Sequence, residues 1–207
     1  MTLSVWLTFL VATSLFSMVP GAGMISTVSN ALNGGVRRAA INLIGLQLAI
    51  IVHLSVVVIG LGALFSSSPI AFDLLKYMGA AYLGYLGIQR FLTAVTVQDE
   101  MPLASAKVNY WQLIREGFFI NLMNPKSVIF LTAFLPSFLN MNMPLNTQYL
   151  ILGVTVVVMD VVVMLNYAYL ANICRKYLIN ERFLLMQNRV FGVLFILMGI
   201  FLVALKH

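Results

Sequence analysis

Charge is what this sequence has least of. Only 9% of its 207 residues are charged, and six in the whole chain are acidic. Soluble domains carry roughly 25% charged residues. With 61% hydrophobic side chains, the chain lacks the polar surface to cover one water-soluble domain. A single cysteine, Cys174, excludes an internal disulfide. No His-Glu-x-x-His cluster and no Gly-x-Ser-x-Gly elbow occurs, so neither metal, cofactor nor hydrolase chemistry is announced. The net charge of +6 is scattered between apolar runs, which argues against a nucleic-acid partner. No basic residue precedes Arg37, so Met1 to Val36 reads as a retained span and not a cleaved signal peptide.

What is present is a series of long apolar runs. Six stretches, about 3–31, 39–65, 69–92, 110–138, 146–172 and 188–206, approach or exceed the ~20 residues that a membrane span needs. The expected fold is a single all-α polytopic domain over residues 1–207, with the lipid bilayer as its solvent. Ser68-Pro69 reads as a cap and first-turn proline opening the third helix. Residues 140–146, with Pro144, read as a polar turn. Trp6 and Trp111 lie at span ends, where interfacial anchors belong.

The basic residues set an orientation. Arg37, Arg38, Arg90, Lys107, Arg115, Arg175, Lys176, Arg182 and Arg189 follow odd-numbered spans, nine of the twelve. That bias places loops one, three and five in the cytoplasm and both termini outside. Three spans per half permit a 3+3 inverted repeat, with half-repeats 1–95 and 108–207. Pro20 and Pro125 sit 105 apart, and His53 and Asp160 107 apart. Transporters are often built this way, with the site at broken helices.

The polar residues inside the spans carry the chemistry. Asp160 is the only charge between Ser127 and Cys174. An acid at the bilayer centre costs about 2.5–3.5 kcal/mol, so it faces a cavity or a partner. Lys126 lies at a comparable depth and either pairs with Asp160 or snorkels to the interface. His53 is either a hydrogen-bonded packing residue or a proton carrier, and Gln47 lies on another face of the same helix with a minor role. Pro20-Gly21-Ala22-Gly23 and Asn124-Pro125 read as two helix breaks. Such breaks free carbonyls that suit an ammonium and helix N-termini that suit a carboxylate, a site for a zwitterion. Ala80-x-x-x-Gly84 reads as helix packing.

At these residues the chain resembles the LysE/RhtB family of bacterial amino-acid exporters over nearly its whole length. The motifs are PGAG at 20–23, GLQLA at 45–49, GAAYLGYLG at 79–87, NLMNPKSVIFLTAFLPSF at 121–138 and LGVTVVVMDVVVM at 152–164. Within the family it is most similar to the homoserine-exporting branch. Many relatives have Pro-Gly-Pro-Asn where this chain has PGAG, and Gly-Asp where it has Ala49-Ile50. The resemblance implies proton-driven efflux of a small amino acid through the bacterial inner membrane. The breaks and the polar residues inside the spans put Pro20, Gly21, Gly23, Gln47, Asn121, Asn124, Pro125 and Lys126 on the substrate pathway, with Asp160 and then His53 as proton-coupling groups. Oligomerisation, including a homo-oligomer, is left open. Two rival readings are an intramembrane hydrolase using Ser17 or Ser26 with His53, and a passive channel.

Overall fold

The computed structural model describes residues 1–67, 69–92, 109–140, 143–171, 173 and 181–204. Cys174, the Ser68 cap, and Lys107, Arg175, Lys176 and Lys206 of the charge count lie outside the described residues.

Helix α1 spans Leu3–Met18 and is capped by the Thr2 hydroxyl, which accepts from the Val5 amide. It ends because Pro20 has no N–H to give Phe16 and holds Val19 extended. The Val19 amide takes the Phe16 carbonyl instead, at 3.1 Å.

Helix α2 spans Ala22–Ser67, 46 residues. Straight, it would run about 69 Å, twice the hydrocarbon thickness. It is instead a hairpin, reversed at Gly34 and Gly35, where Gly35 has φ 75°. That left-handed conformation strains any residue with a Cβ. Bonds straddle the turn symmetrically: Arg38 Nε donates to Asn30 at 2.9 Å and Ser26 Oγ to Asn42 at 2.9 Å. The first limb, 22–33, covers only half a membrane; the second, 36–67, covers a whole one.

Helix α3 is Pro69–Leu92. Helix α4, Tyr110–Leu122, is capped by Asn109 and ends before Pro125. The short α5, Pro125–Ile129, is capped by Asn124 and continues as a π turn over Phe130–Phe134 and a 3₁₀ turn over Leu135–Phe138. Pro136 supplies the cause, since it cannot bond Thr132 and its ring crowds that carbonyl. Helix α6 is Leu145–Ala171 and α7 is Glu181–Ala204. The expected turn before α6 is fastened by Gln148, whose side chain accepts from the Asn140 amide and donates to the Asn140 carbonyl, at 2.8 and 2.9 Å.

The second limb of α2 packs on α4 and α6, α1 packs on α6, and α3 pairs with α7. Glycines set the closest approaches. A Cβ on Gly45 would sit 1.9 Å from the Ile114 carbonyl oxygen, and one on Gly117 2.2 Å from that of Asn42. Between α3 and α7, a Cβ on Gly199 would lie 2.9 Å from the Ala80 carbonyl, the packing expected of the small-residue pattern. Aromatic rings fill the space between α1 and the irregular helix: Phe16 stacks on Phe130 at 3.6 Å, and Phe9 meets Phe138 at 5.1 Å. Phe130, Phe134 and Phe138 form a ladder, and Phe195 of α7 meets Phe16 edge-on at 6.4 Å.

Two helices are long and apolar enough to cross a membrane, within 22–60 and 145–171, and the pair 110–122 and 125–138, bent by 60°, makes a third if it is one span. The expectation of six is thus met by three at most among the described residues on length and composition. Leu3–Met18 is apolar but short. Trp6 is also more than an interfacial anchor, because its indole N–H donates to Thr155 of α6 at 3.1 Å. Trp111 stays 68% exposed, as an anchor should be.

Candidate functional site

The two helix breaks touch. Three consecutive carbonyls at the first break each accept a side-chain donor from a different element. Met18 accepts the Tyr167 hydroxyl of α6 at 2.8 Å, and Val19 accepts Lys126 Nζ of α5 at 2.7 Å. Pro20 accepts Arg90 Nη2 of α3. An interrupted helix at membrane depth needs such partners. Lys126 lies over the Phe16 ring as well, its Nζ 4.5 Å from the centroid. The ammonium therefore has a carbonyl on one side and an aromatic face on the other.

The second break is held by side-chain amides. Asn124 caps α5 by accepting the Lys126 amide at 3.1 Å. Asn121 donates to the Leu46 carbonyl at 2.9 Å and accepts from Ser127 at 2.8 Å and Asn124 at 3.3 Å. Because the Lys126 amide turns to Asn124, the Leu122 carbonyl is left for His53 Nε2, at 3.2 Å. A carbonyl can only accept, so Nε2 carries the proton in this arrangement; Nδ1 is buried without a partner.

A cavity lies between the breaks, lined by Ser17, Gly21, Gly23, Asn121, Asn124, Lys126, Ser127 and Asp160 among others, with Phe16, Phe130 and Leu46 as apolar walls. Its volume of about 30 Å³ has room for water but not for an amino acid. Asp160 reaches in from α6 and accepts Gln47 Nε2 at 2.7 Å. Lys126 and Asp160 share this cavity without a direct ion pair, since each is turned to a different neutral partner.

Most of the residues expected on the pathway therefore converge. Gly21, Gly23, Asn121, Asn124, Lys126 and Asp160 line one cavity, and Pro20 and Pro125 make the breaks that form it. Two expectations change in weight. Gln47 is the direct partner of Asp160, a contact that only the fold of α2 against α6 creates. His53 faces α4 and does not line the cavity. Neither Ser17 nor Ser26 is hydrogen-bonded to His53, as the hydrolase reading requires; Ser26 is turned to Asn42. Arg90 and Tyr167 were missed. Arg90 had been counted as a loop cation, though its place two residues inside the end of α3 was a signal. Tyr167 carried none.

Residues 14–206 match the LysE type translocator family. The chain belongs to that family. It is 41% identical, over the full length of both chains, to the homoserine/homoserine lactone efflux proteins of Salmonella typhi and Salmonella typhimurium. It is 38% identical, again over both full lengths, to an uncharacterized membrane protein of Vibrio cholerae. No solved structure matches. The chain is therefore a transporter and not an enzyme, a multi-pass protein of the bacterial inner membrane.

Proposed function

We propose that the protein exports small amino acids and their derivatives, homoserine and homoserine lactone foremost, in exchange for protons. The observation that carries this reading is the small cavity between two helix breaks, lined by one lysine and one aspartate that are not paired with each other. Those charges complement a small zwitterion, and both can trade protons. The substrate follows from the name borne by relatives 41% identical throughout.

The topology belongs to the same proposal: six spans, both termini outside, and half-repeats 1–95 and 108–207 of inverted orientation. Its support is a correspondence of packing. In each half, the helix before the break lies against the second span of the other half: α1 on α6, and α4 on the second limb of α2. In each half a piece too short to cross, 22–33 or 125–138, follows the break. The paired α3 and α7 are the two third spans. In this scheme Asp160 is the first proton-coupling candidate and His53 the second.

Export from everted vesicles tests the reading. Homoserine should accumulate when a proton gradient is imposed and stop when it is collapsed. Accumulation indifferent to the gradient would remove the antiport; resistance and transport for an unrelated solute alone would remove the substrate.

A further inference from the structure

Lys126 places a primary ammonium where the first break exposes a carbonyl and an aromatic face. Nζ is 2.7 Å from the Val19 oxygen and 4.5 Å from the centre of the Phe16 ring. Homoserine and its lactone share one charged group, a primary ammonium. The lactone has no carboxylate. Whatever recognises both must recognise the amine, and this position is already built for one.

We infer that Lys126 holds the position where the substrate amine binds, and that it gives up its proton when a substrate whose only charge is an ammonium takes its place. This rests on the exporter reading above. The driving fact is a charge balance. Among the described residues, Asp160 of α6 is the single carboxylate lining the cavity, while Lys126 and Arg90 both bring cations to the first break. A further ammonium would set three buried cations against one anion, and buried unpaired charge is expensive. Arg90 cannot discharge, because a guanidinium keeps its proton in proteins. Tyr167 donates to the Met18 carbonyl, and His53 lies outside the cavity on the Leu122 carbonyl. Asp160 must stay ionised to balance what remains. Lys126 is the group left to release a proton.

The step balances. One N–H bond of the Lys126 ammonium breaks and the proton goes to water at the mouth through which the substrate enters. The substrate ammonium takes the Val19 carbonyl and the Phe16 face. After release on the far side, the neutral lysine takes a proton from water there and returns to Val19. One cation leaves and one proton enters. A zwitterion brings its own carboxylate, so Lys126 keeps its proton and turns to that carboxylate.

The test counts protons. The purified full-length protein is titrated in weakly buffered detergent with a pH indicator. The pH is about 6, below the ordinary α-amino range. Binding is followed in parallel by calorimetry. Homoserine lactone should release about one proton more per molecule bound than homoserine does. Lys126→Met should abolish the release while lactone still binds. The wild-type comparison stands even if that variant does not fold. Equal release with both ligands, or binding of the lactone with none, overturns the inference and leaves the exporter intact. Release that survives Lys126→Met but vanishes in Asp160→Asn gives the proton to Asp160 and overturns it too. If neither ligand binds, the substrate reading falls and takes the inference with it.

Discussion

At the scale of single residues, Asp160 and Gln47 show how a buried carboxylate is kept. Gln47 is a neutral donor, so it holds the charge without cancelling it. A hydrogen bond to a charged group contributes roughly 1.5–3 kcal/mol, and removing Gln47 would leave Asp160 with the Ser17 hydroxyl as its remaining side-chain donor. Gln47→Leu should therefore slow export about tenfold or more at equal membrane abundance, since 1.4 kcal/mol is a factor of ten. An efflux assay normalised to immunoblotted protein reads this directly, and a rate unchanged from wild type would dismiss Gln47 as a packing residue. His53 makes the opposite case. Its Nε2 serves the Leu122 carbonyl, a task that a glutamine amide can also perform. His53→Gln should keep gradient-driven export within a few-fold and leave its pH profile in place, whereas His53→Leu should lower the melting temperature. A proton-independent His53→Gln protein would restore the imidazole as a coupling group.

At the scale of elements, glycines in this chain do three different jobs. Gly45 and Gly117 let α2 and α4 approach until backbones touch, and a Cβ at Gly45 would overlap the Ile114 carbonyl at 1.9 Å. Overpacking of this kind costs typically 1–3 kcal/mol. Gly45→Ala should reduce thermal stability and yield, with the loss visible in a detergent melting curve. Gly21 stands at the cavity, where a Cβ would rest 3.4 Å from Lys126 Cδ, an ordinary contact. Gly21→Ala should be tolerated. Gly21→Leu should insert and fold yet fail to export, because the added side chain takes the room of Lys126 and of the substrate. Full activity in Gly21→Leu would reduce the first break to a packing kink. The Gly34-Gly35 turn is a third use, and among the described residues it alone depends on a positive φ.

At the scale of the whole molecule, the broken helices hold one another. Lys126 comes from the second break and caps the first, while α3, paired with α7, reaches the same place through Arg90. Moving either break thus requires exchanging these polar contacts. The cavity of about 30 Å³ must enlarge to admit any amino acid, and this lattice of contacts is what has to yield. Orientation is a property of the same scale. A reporter fused after residue 207 should be active only when the C-terminus is periplasmic. Activity of a cytoplasmic reporter there would reverse the topology and end the inverted-repeat proposal.

Some of this could be read along the chain, and some could not. Composition alone determined an all-helical membrane protein, because apolar runs near span length leave no other solvent for the chain. Pro20 and Pro125 marked both breaks, since the lack of an N–H is a local fact that no fold can repair. Asp160 and Lys126 were legible as site residues because charge in an apolar run is costly wherever the run is placed. The partners were decided by tertiary structure. Gln47 meets Asp160 across 113 positions and Arg90 meets Pro20 across 70. Lys126 turned to the Val19 carbonyl and not to Asp160 because the first break presents an unbonded oxygen within its reach. Hydropathy reports how much of a residue must be hidden; only the packed helices decide against what.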